Sequence, residues 1–127
     1  MIVGLGIDLV LVEKIARSLE ENSGFKTKTF SPQEISLCET LKNSAERFAG
    51  KFAAKEAFMK ALGAGIRQEV WFSQIEVLNR PSGEPYIVTT GKAQEIFQSL
   101  GNVIIHLSIS HTSGFAIALV VFEKSEL

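Results

Sequence analysis

A single cysteine, Cys38, stands in 127 residues, which excludes an internal disulfide and a thiolate metal cage. Three prolines and ten glycines are too few for a collagenous or Pro/Gly-rich disordered chain. Neither sign of charge prevails: 13 Lys and Arg face 14 Asp and Glu, a formal net charge of -1, with an isoelectric point near 6.1. That balance leaves no electrostatic footprint for duplex nucleic acid, so any polyanionic partner must be held locally. Long apolar runs are missing too. The opening MIVGLGIDLVLV is too short to span a bilayer, has no basic flank and is interrupted by Asp8, so it reads as the start of the fold and not as a signal or membrane segment. A lone thiol and no membrane span make the reducing cytoplasm the expected compartment.

What is present is the composition of a soluble globular protein, 46% hydrophobic and 21% charged, at a length that predicts one domain over residues 1–127. The mean hydropathy of +0.19 is high for a lone small domain, a hint that some apolar surface is covered by another subunit.

Periodicity divides the chain into elements. Residues 2–7 form a short apolar run broken by Gly4 and Gly6, and from Leu9 to Asn22 the spacing of Leu9, Val12, Ile15, Ala16 and Leu19 is helical, which puts Asp8 at a strand-to-helix junction. Ser31-Pro32-Gln33-Glu34 carries an N-cap, a first-turn proline and a capping-box glutamate, predicting a helix through Leu41. A longer helix is expected from Ala45 to Leu62, closed by Gly63 with Gly65 beyond. Val70–Leu78 and Tyr86–Thr90 read as a hairpin around a Pro/Gly-rich turn, Lys92–Leu100 as a helix, and Val103–Ser110 with Ala116–Phe122 as a second hairpin over His111-Thr112-Ser113-Gly114. The order β-α-α-α-β-β-α-β-β predicts an α+β domain with a mainly antiparallel sheet.

Four features do not fit a bland core. Asp8 is the only polar side chain among the first twelve residues, and reads either as the N-cap of the following helix or as a carboxylate for a hard cation. Glu56 projects from the apolar stripe made by Ala49, Phe52, Ala53 and Met59, where a lone charge is costly. Lys60, one turn later, is its simplest partner in a plain helix ion pair. Gly63 and Gly65 permit backbone to approach phosphates, or merely cap the helix. In Val103–Ser110, His106, Ser108 and Ser110 share one strand face and Val103, Ile105, Leu107 and Ile109 the other, and His111 then opens a turn, as an ordinary turn histidine or a ligand-binding one.

Taken together, GIDLV at Gly6 to Val10, FAAKEAFMKALGAGI at Phe52 to Ile66 and SISHT at Ser108 to Thr112 resemble the small, single-domain holo-[acyl-carrier-protein] synthase branch of the 4′-phosphopantetheinyl transferases. The resemblance covers nearly the whole chain. It implies Mg²⁺-dependent transfer of 4′-phosphopantetheine from coenzyme A to a serine of apo-acyl carrier protein, with release of adenosine 3′,5′-bisphosphate, in fatty acid biosynthesis. It implies Asp8 and Glu56 as metal carboxylates, Glu56 and Lys60 as catalytic, and Lys60, Gly63, Gly65, Ser110, His111 and Thr112 at coenzyme A. Either Glu56 or a water on the ion then takes the serine proton. Related transferases of a larger, two-lobed branch have a second acid two residues after the aspartate, and several small members have a Glu at three; here Val10 and Leu11 stand there and Glu13 is the nearest acid, so water is expected in place of a third protein ligand. An acidic carrier is expected on Lys14, Arg17, Lys26 and Lys28, with Glu20 and Glu21 opposing it. Arg47 and Lys51 are candidates for nucleotide phosphates or, equally, solvated helix charges. The resemblance further implies a homotrimer with sites shared between chains. The competing class is a non-catalytic α+β module that holds a nucleotide or a partner helix, against which two carboxylates on apolar elements argue.

Overall fold

The computed structural model describes residues 1–63 and 70–125. The elements run β1 (Ile2–Leu11), α1 (Val12–Glu21), α2 (Phe25–Thr29), α3 (Pro32–Glu39), α4 (Ser44–Leu62), a 3-10 turn (Phe72–Gln74), β2 (Ile75–Asn79), β3 (Pro85–Thr89), α5 (Gly91–Gln98), β4 (Val103–Thr112) and β5 (Phe115–Lys124). This is the α+β class expected. A three-stranded antiparallel sheet has the order β1-β5-β4, and β2 pairs with β3 as a separate hairpin.

The long helix α4 lies across the inner face of the sheet and is the core of the molecule. Ala53, Ala54, Ala57, Phe58 and Ala61 pack against Ala118, Val120 and Phe122 of β5. Small side chains on α4 let helix and sheet approach closely, and β1 completes the fit by having none at two positions. A Cβ on Gly6 would sit 1.8 Å from the Ala57 carbonyl oxygen, and one on Gly4 2.6 Å from that of Ala61.

These glycines therefore do not break the strand, as the sequence reading had it. β1 continues to Leu11, with Asp8 in mid-strand opposite Ala118. Its alternation puts Gly4, Gly6, Asp8 and Val10 toward α4 and leaves Leu5, Ile7, Leu9 and Leu11 outside. Asp8 is thus no helix cap: α1 begins after Leu11, which offers no side-chain cap bond. Three other expectations are revised. The short α2 was not foreseen; it follows Gly24, held at φ 91°, and buries Thr29 and Phe30. The strand expected from Val70 starts only at Ile75, because Trp71 N–H and Ala93 N–H both donate to the Gln74 side chain and turn the chain there. His111 lies inside β4, since the turn needs only Ser113 and Gly114, both at positive φ (51° and 81°).

The capping box at the start of α3 forms as expected, with Glu34 N–H on Ser31 Oγ and Ser31 N–H on Glu34 Oε1. Gly63 likewise closes α4, donating to the Met59 and Lys60 carbonyls at φ 107°.

The outer face of the sheet is apolar along β1 and is left exposed by the described residues. Leu5, Ile7, Leu9 and Leu11 are 48–63% exposed, joined by Ile104, Phe115 and Leu119, in register with Ser108, Ser110 and Thr112 across β5. His106 and Glu123 share this face, paired at 2.9 Å, and the hydrogen bond from His106 holds the Glu123 carboxyl below its ordinary range.

Candidate active site

β1 and α4 bring Asp8, Glu56 and Lys60 together. The Lys60 ammonium donates to the Ile7 carbonyl at 2.9 Å and to Asp8 Oδ1 at 3.1 Å, so the partner of Lys60 is the strand aspartate as well as anything on its own helix. Asp8 is only 11% exposed, and its second oxygen, Oδ2, is buried without a hydrogen-bond partner. Buried carboxylate oxygens are rarely left so. Asp8 and Glu56 line the same open groove of about 570 Å³, whose other walls include Val10, Ile15, Phe25 and Phe52. Glu56 also borders a smaller cavity of about 160 Å³ with Met59, Lys60 and Phe72.

Two carboxylates on one groove, one with an orphaned oxygen, form a hard oxygen donor set of the kind that holds Mg²⁺ together with substrate phosphates. The residues present fit that ion. Glu13 does not join them: it sits on α1, 82% exposed, paired with Arg17 at 3.0 Å. No cluster of three or more His, Cys, Asp or Glu side chains suited to a metal occurs among the described residues.

The remaining expected contacts are dispersed. Gly63 is at the end of α4, one turn beyond Lys60, while Gly65 lies outside the described residues. His111 is on the inner face of β4, packed on α4 at Gly50, where a Cβ would meet its Nε2 at 3.1 Å; its Nδ1 is 4.0 Å from Glu46 Oε1. His111 is not among the residues that line the Asp8 groove. It lines instead a cavity of about 300 Å³ with Arg47, Gly50 and Lys51. Ser110 and Thr112 point the other way, to the uncovered outer face.

Two lysines of α4 are buried, which the sequence reading did not anticipate. Lys51, 6% exposed, donates to the Val77 carbonyl at 2.6 Å and Asn79 Oδ1 at 3.0 Å. It is therefore no solvated helix charge, and burial draws its pKa down, against the pull of Cys38 and Glu34. Lys55 is fully buried in an ion pair with Glu34 at 2.7 Å.

On the carrier-facing candidates, Arg17 is tied to Glu13 and Lys26 to Glu39 at 2.6 Å. Lys14 and Arg17 border a shallow groove with Ser18 and Glu21, and Lys28 is exposed on α2.

This arrangement of sheet, central helix and carboxylate-lysine groove is that of a phosphopantetheine-transferring fold. Residues 4–120 match the model of the 4′-phosphopantetheinyl transferase superfamily, and the chain belongs to that family. Within it, the chain is 45% identical over 124 residues to the holo-[acyl-carrier-protein] synthase of Koribacter versatilis, covering 97% of this chain and 99% of that one. It is 42% identical to that of Geotalea daltonii, over 98% and 100% of the two chains. Among solved structures, an ACPS-CoA complex named for Chronobacterium ammoniagenes superposes with a TM-score of 0.87 at 31% identity, over 97% of this chain and 98% of that one. A holo-(acyl-carrier-protein) synthase from Bacillus anthracis in complex with CoA (3′,5′-ADP) gives 0.80 at 40%, over 98% and 99%.

Proposed function

We propose that this chain is a holo-[acyl-carrier-protein] synthase: it moves 4′-phosphopantetheine from coenzyme A to a serine hydroxyl of apo-acyl carrier protein and releases adenosine 3′,5′-bisphosphate. The observation that carries this reading is the buried, unpartnered Oδ2 of Asp8 in the groove it shares with Glu56, beside an ammonium. A passive binding module has no use for that arrangement, and is not favoured.

Asp8 and Glu56 would hold Mg²⁺, which when bound neutralises charge on the phosphates and polarises their oxygens. Lys60, 45% exposed and bonded to Asp8, offers its ammonium to the leaving phosphate, where negative charge grows as the bond breaks. Gly63 gives close backbone approach after Lys60. The apolar wall of Phe25 and Phe52 excludes water from the reacting end. Arg47 and Lys51, with His111 beside them around one cavity, supply a second basic site suited to a nucleotide phosphate. With Ser110 and Thr112 facing outward, that half of the coenzyme site serves a neighbouring chain. The uncovered apolar sheet face supports this, and the assembly we infer is a homotrimer working in the cytoplasm. No helix among the described residues is long and apolar enough to cross a membrane. Lys14 and Lys28, with Arg17 and Lys26, make the surface for an acidic carrier.

Incubation with coenzyme A, Mg²⁺ and an apo-carrier protein tests the reading by intact mass. The carrier gains one phosphopantetheine, and Asp8→Ala or Glu56→Ala abolishes the gain while the metal-free melting temperature does not fall, because carboxylate desolvation is relieved. A carrier of unchanged mass with the native protein would overturn the activity. Full transfer by either variant at limiting Mg²⁺ would overturn the metal assignment alone.

A further inference from the structure

Glu34 and Lys55 form an ion pair with both side chains at 0% exposure. Such pairs are no better for stability than well-packed apolar residues of the same volume, because desolvation cancels the Coulomb gain. Their use lies in fixing geometry, and here the geometry is fully determined. The Lys55 ammonium has three N–H groups and three acceptors: Glu34 Oε1 at 2.7 Å, the Phe72 carbonyl at 2.9 Å and the Ile75 carbonyl at 2.5 Å. They come from α3, the 3-10 turn and β2. Glu34 in turn accepts Ser31 N–H at 2.9 Å and Val77 N–H at 2.8 Å, so neither end of the pair is loose.

Lys55 immediately precedes Glu56. Neighbouring residues on a helix differ by about 100° around its axis, so pinning Lys55 to three elements sets the rotation of α4 at the turn that aims Glu56, a little over a quarter turn round, into the groove. The same ammonium holds the backbone of Phe72, whose side chain faces Glu56 across the small cavity and packs edge-on against Phe52, one turn before Glu56, at 5.6 Å between ring centres.

We propose that Lys55, held by Glu34, is a positioning residue for the Glu56 carboxylate: the buried clamp sets the rotation of α4 and the Phe72 wall, and thereby the cation affinity of the Asp8-Glu56 groove. The inference rests on the reading of that groove as a metal site. Lys55 itself touches neither carboxylate of the groove in the contacts above, so its effect is indirect.

The test uses the full-length protein, with Mn²⁺ as probe and binding read from the electron paramagnetic resonance signal of the free ion. Lys55→Met alone leaves Glu34 buried and uncompensated, so the informative variant is Glu34→Gln/Lys55→Met, in which both charges go together. Wild type binds Mn²⁺ and Glu56→Gln loses it. The double variant, folded by circular dichroism, binds about tenfold more weakly, as loss of an outer supporting contact does at metal sites. Its kcat falls while its KM for coenzyme A stays within about twofold, the pattern of an interaction felt in the transition state. A folded double variant with native Mn²⁺ affinity and kcat overturns the clamp while leaving the metal site standing. Absence of Mn²⁺ binding by the wild type overturns both. Should the double variant not fold, Glu34→Gln alone decides: it keeps the side-chain shape but removes the anion that compensates Lys55 and turns an amide N–H toward a donor, so a several-fold loss of Mn²⁺ affinity is expected, and unchanged affinity in the folded variant overturns the proposal.

Discussion

Lys60 Nζ donates to Asp8 Oδ1 while Oδ2 of the same carboxylate is buried with no hydrogen-bond partner, so the two oxygens of one carboxylate have unlike surroundings. If Lys60 acts on charge that grows in the transition state, Lys60→Ala lowers kcat roughly 100-fold and leaves KM for coenzyme A near native. It does not weaken Mn²⁺ binding, since a competing ammonium has been removed. A change confined to KM would instead make Lys60 a ground-state phosphate contact. Cys38 is a second residue whose setting has a measurable consequence. Burial pushes its thiol from an ordinary 9.0 up to about 11, with Lys51 drawing it partly back. Between those values the unfolded chain releases a proton that the folded chain retains, so stability is complete below pH 9 and falls as pH rises toward 11. The loss over that window is at most about 2.7 kcal/mol. Urea unfolding of wild type and Cys38→Ala at pH 8 and pH 10.5 checks it: the advantage of the wild type shrinks at the higher pH, and a constant gap contradicts the account.

Among the elements, the contact of β1 with α4 makes the site, and it depends on the absence of side chains at Gly4 and Gly6. Gly6→Ala drives a methyl group to 1.8 Å from the Ala57 carbonyl oxygen, and a helix backbone relaxes only by moving as a unit. We expect about 3 kcal/mol of destabilisation, the upper end for overpacking, seen as a lower melting temperature. Transfer activity is lost as well, because α4 withdraws Glu56 and Lys60 from Asp8. A variant that melts like wild type would mean the strand and helix are not in register as described. The same glycines explain what was legible in the sequence. The capping box of α3 and the Gly63 terminus of α4 are local devices and were read correctly from residues within one turn. Gly4 and Gly6 were read as strand breaks because their reason, the α4 backbone, lies more than fifty residues away. Lys51 could be read as a solvated helix charge, and Lys55 did not stand out, for the same reason: they donate to carbonyls of Phe72, Ile75 and Val77, which no spacing rule connects to α4. Asp8 and Glu56 stood out because charge on an apolar pattern is anomalous whatever it touches. Pairing Lys60 with Glu56 followed the helix rule, whereas the structure brings Lys60 to the neighbouring strand.

For the whole molecule, the decisive feature is the division of the expected coenzyme contacts between two places that one chain keeps apart. Asp8 and Glu56 border one groove, with Lys60 bonded to Asp8, and His111 sits with Arg47 and Lys51 at another cavity. The groove is edged by Leu9, Leu11 and Phe115, which also belong to the exposed apolar face. Ser110 and Thr112 project from that face in register with Ile117 and Phe115. A neighbouring chain packed on this face would bury the leucines and bring its own Ser110 and Thr112, at the strand end that carries His111, toward the Asp8 groove across the contact. Sharing of this kind has a consequence that a single-chain site cannot imitate. Asp8→Ala lacks the carboxylate half and His111→Ala impairs the other, so each homo-oligomer has every site damaged. After dissociation and reassembly, mixed particles contain some contacts where a native Asp8 half meets a native His111 half. Activity of the mixture then exceeds that of either parent. Native mass must first give three chains per particle, and a tagged copy must demonstrate exchange. With exchange demonstrated, a mixture showing only the average of its parents places the whole site within one chain, and the outer sheet face then serves assembly without serving catalysis.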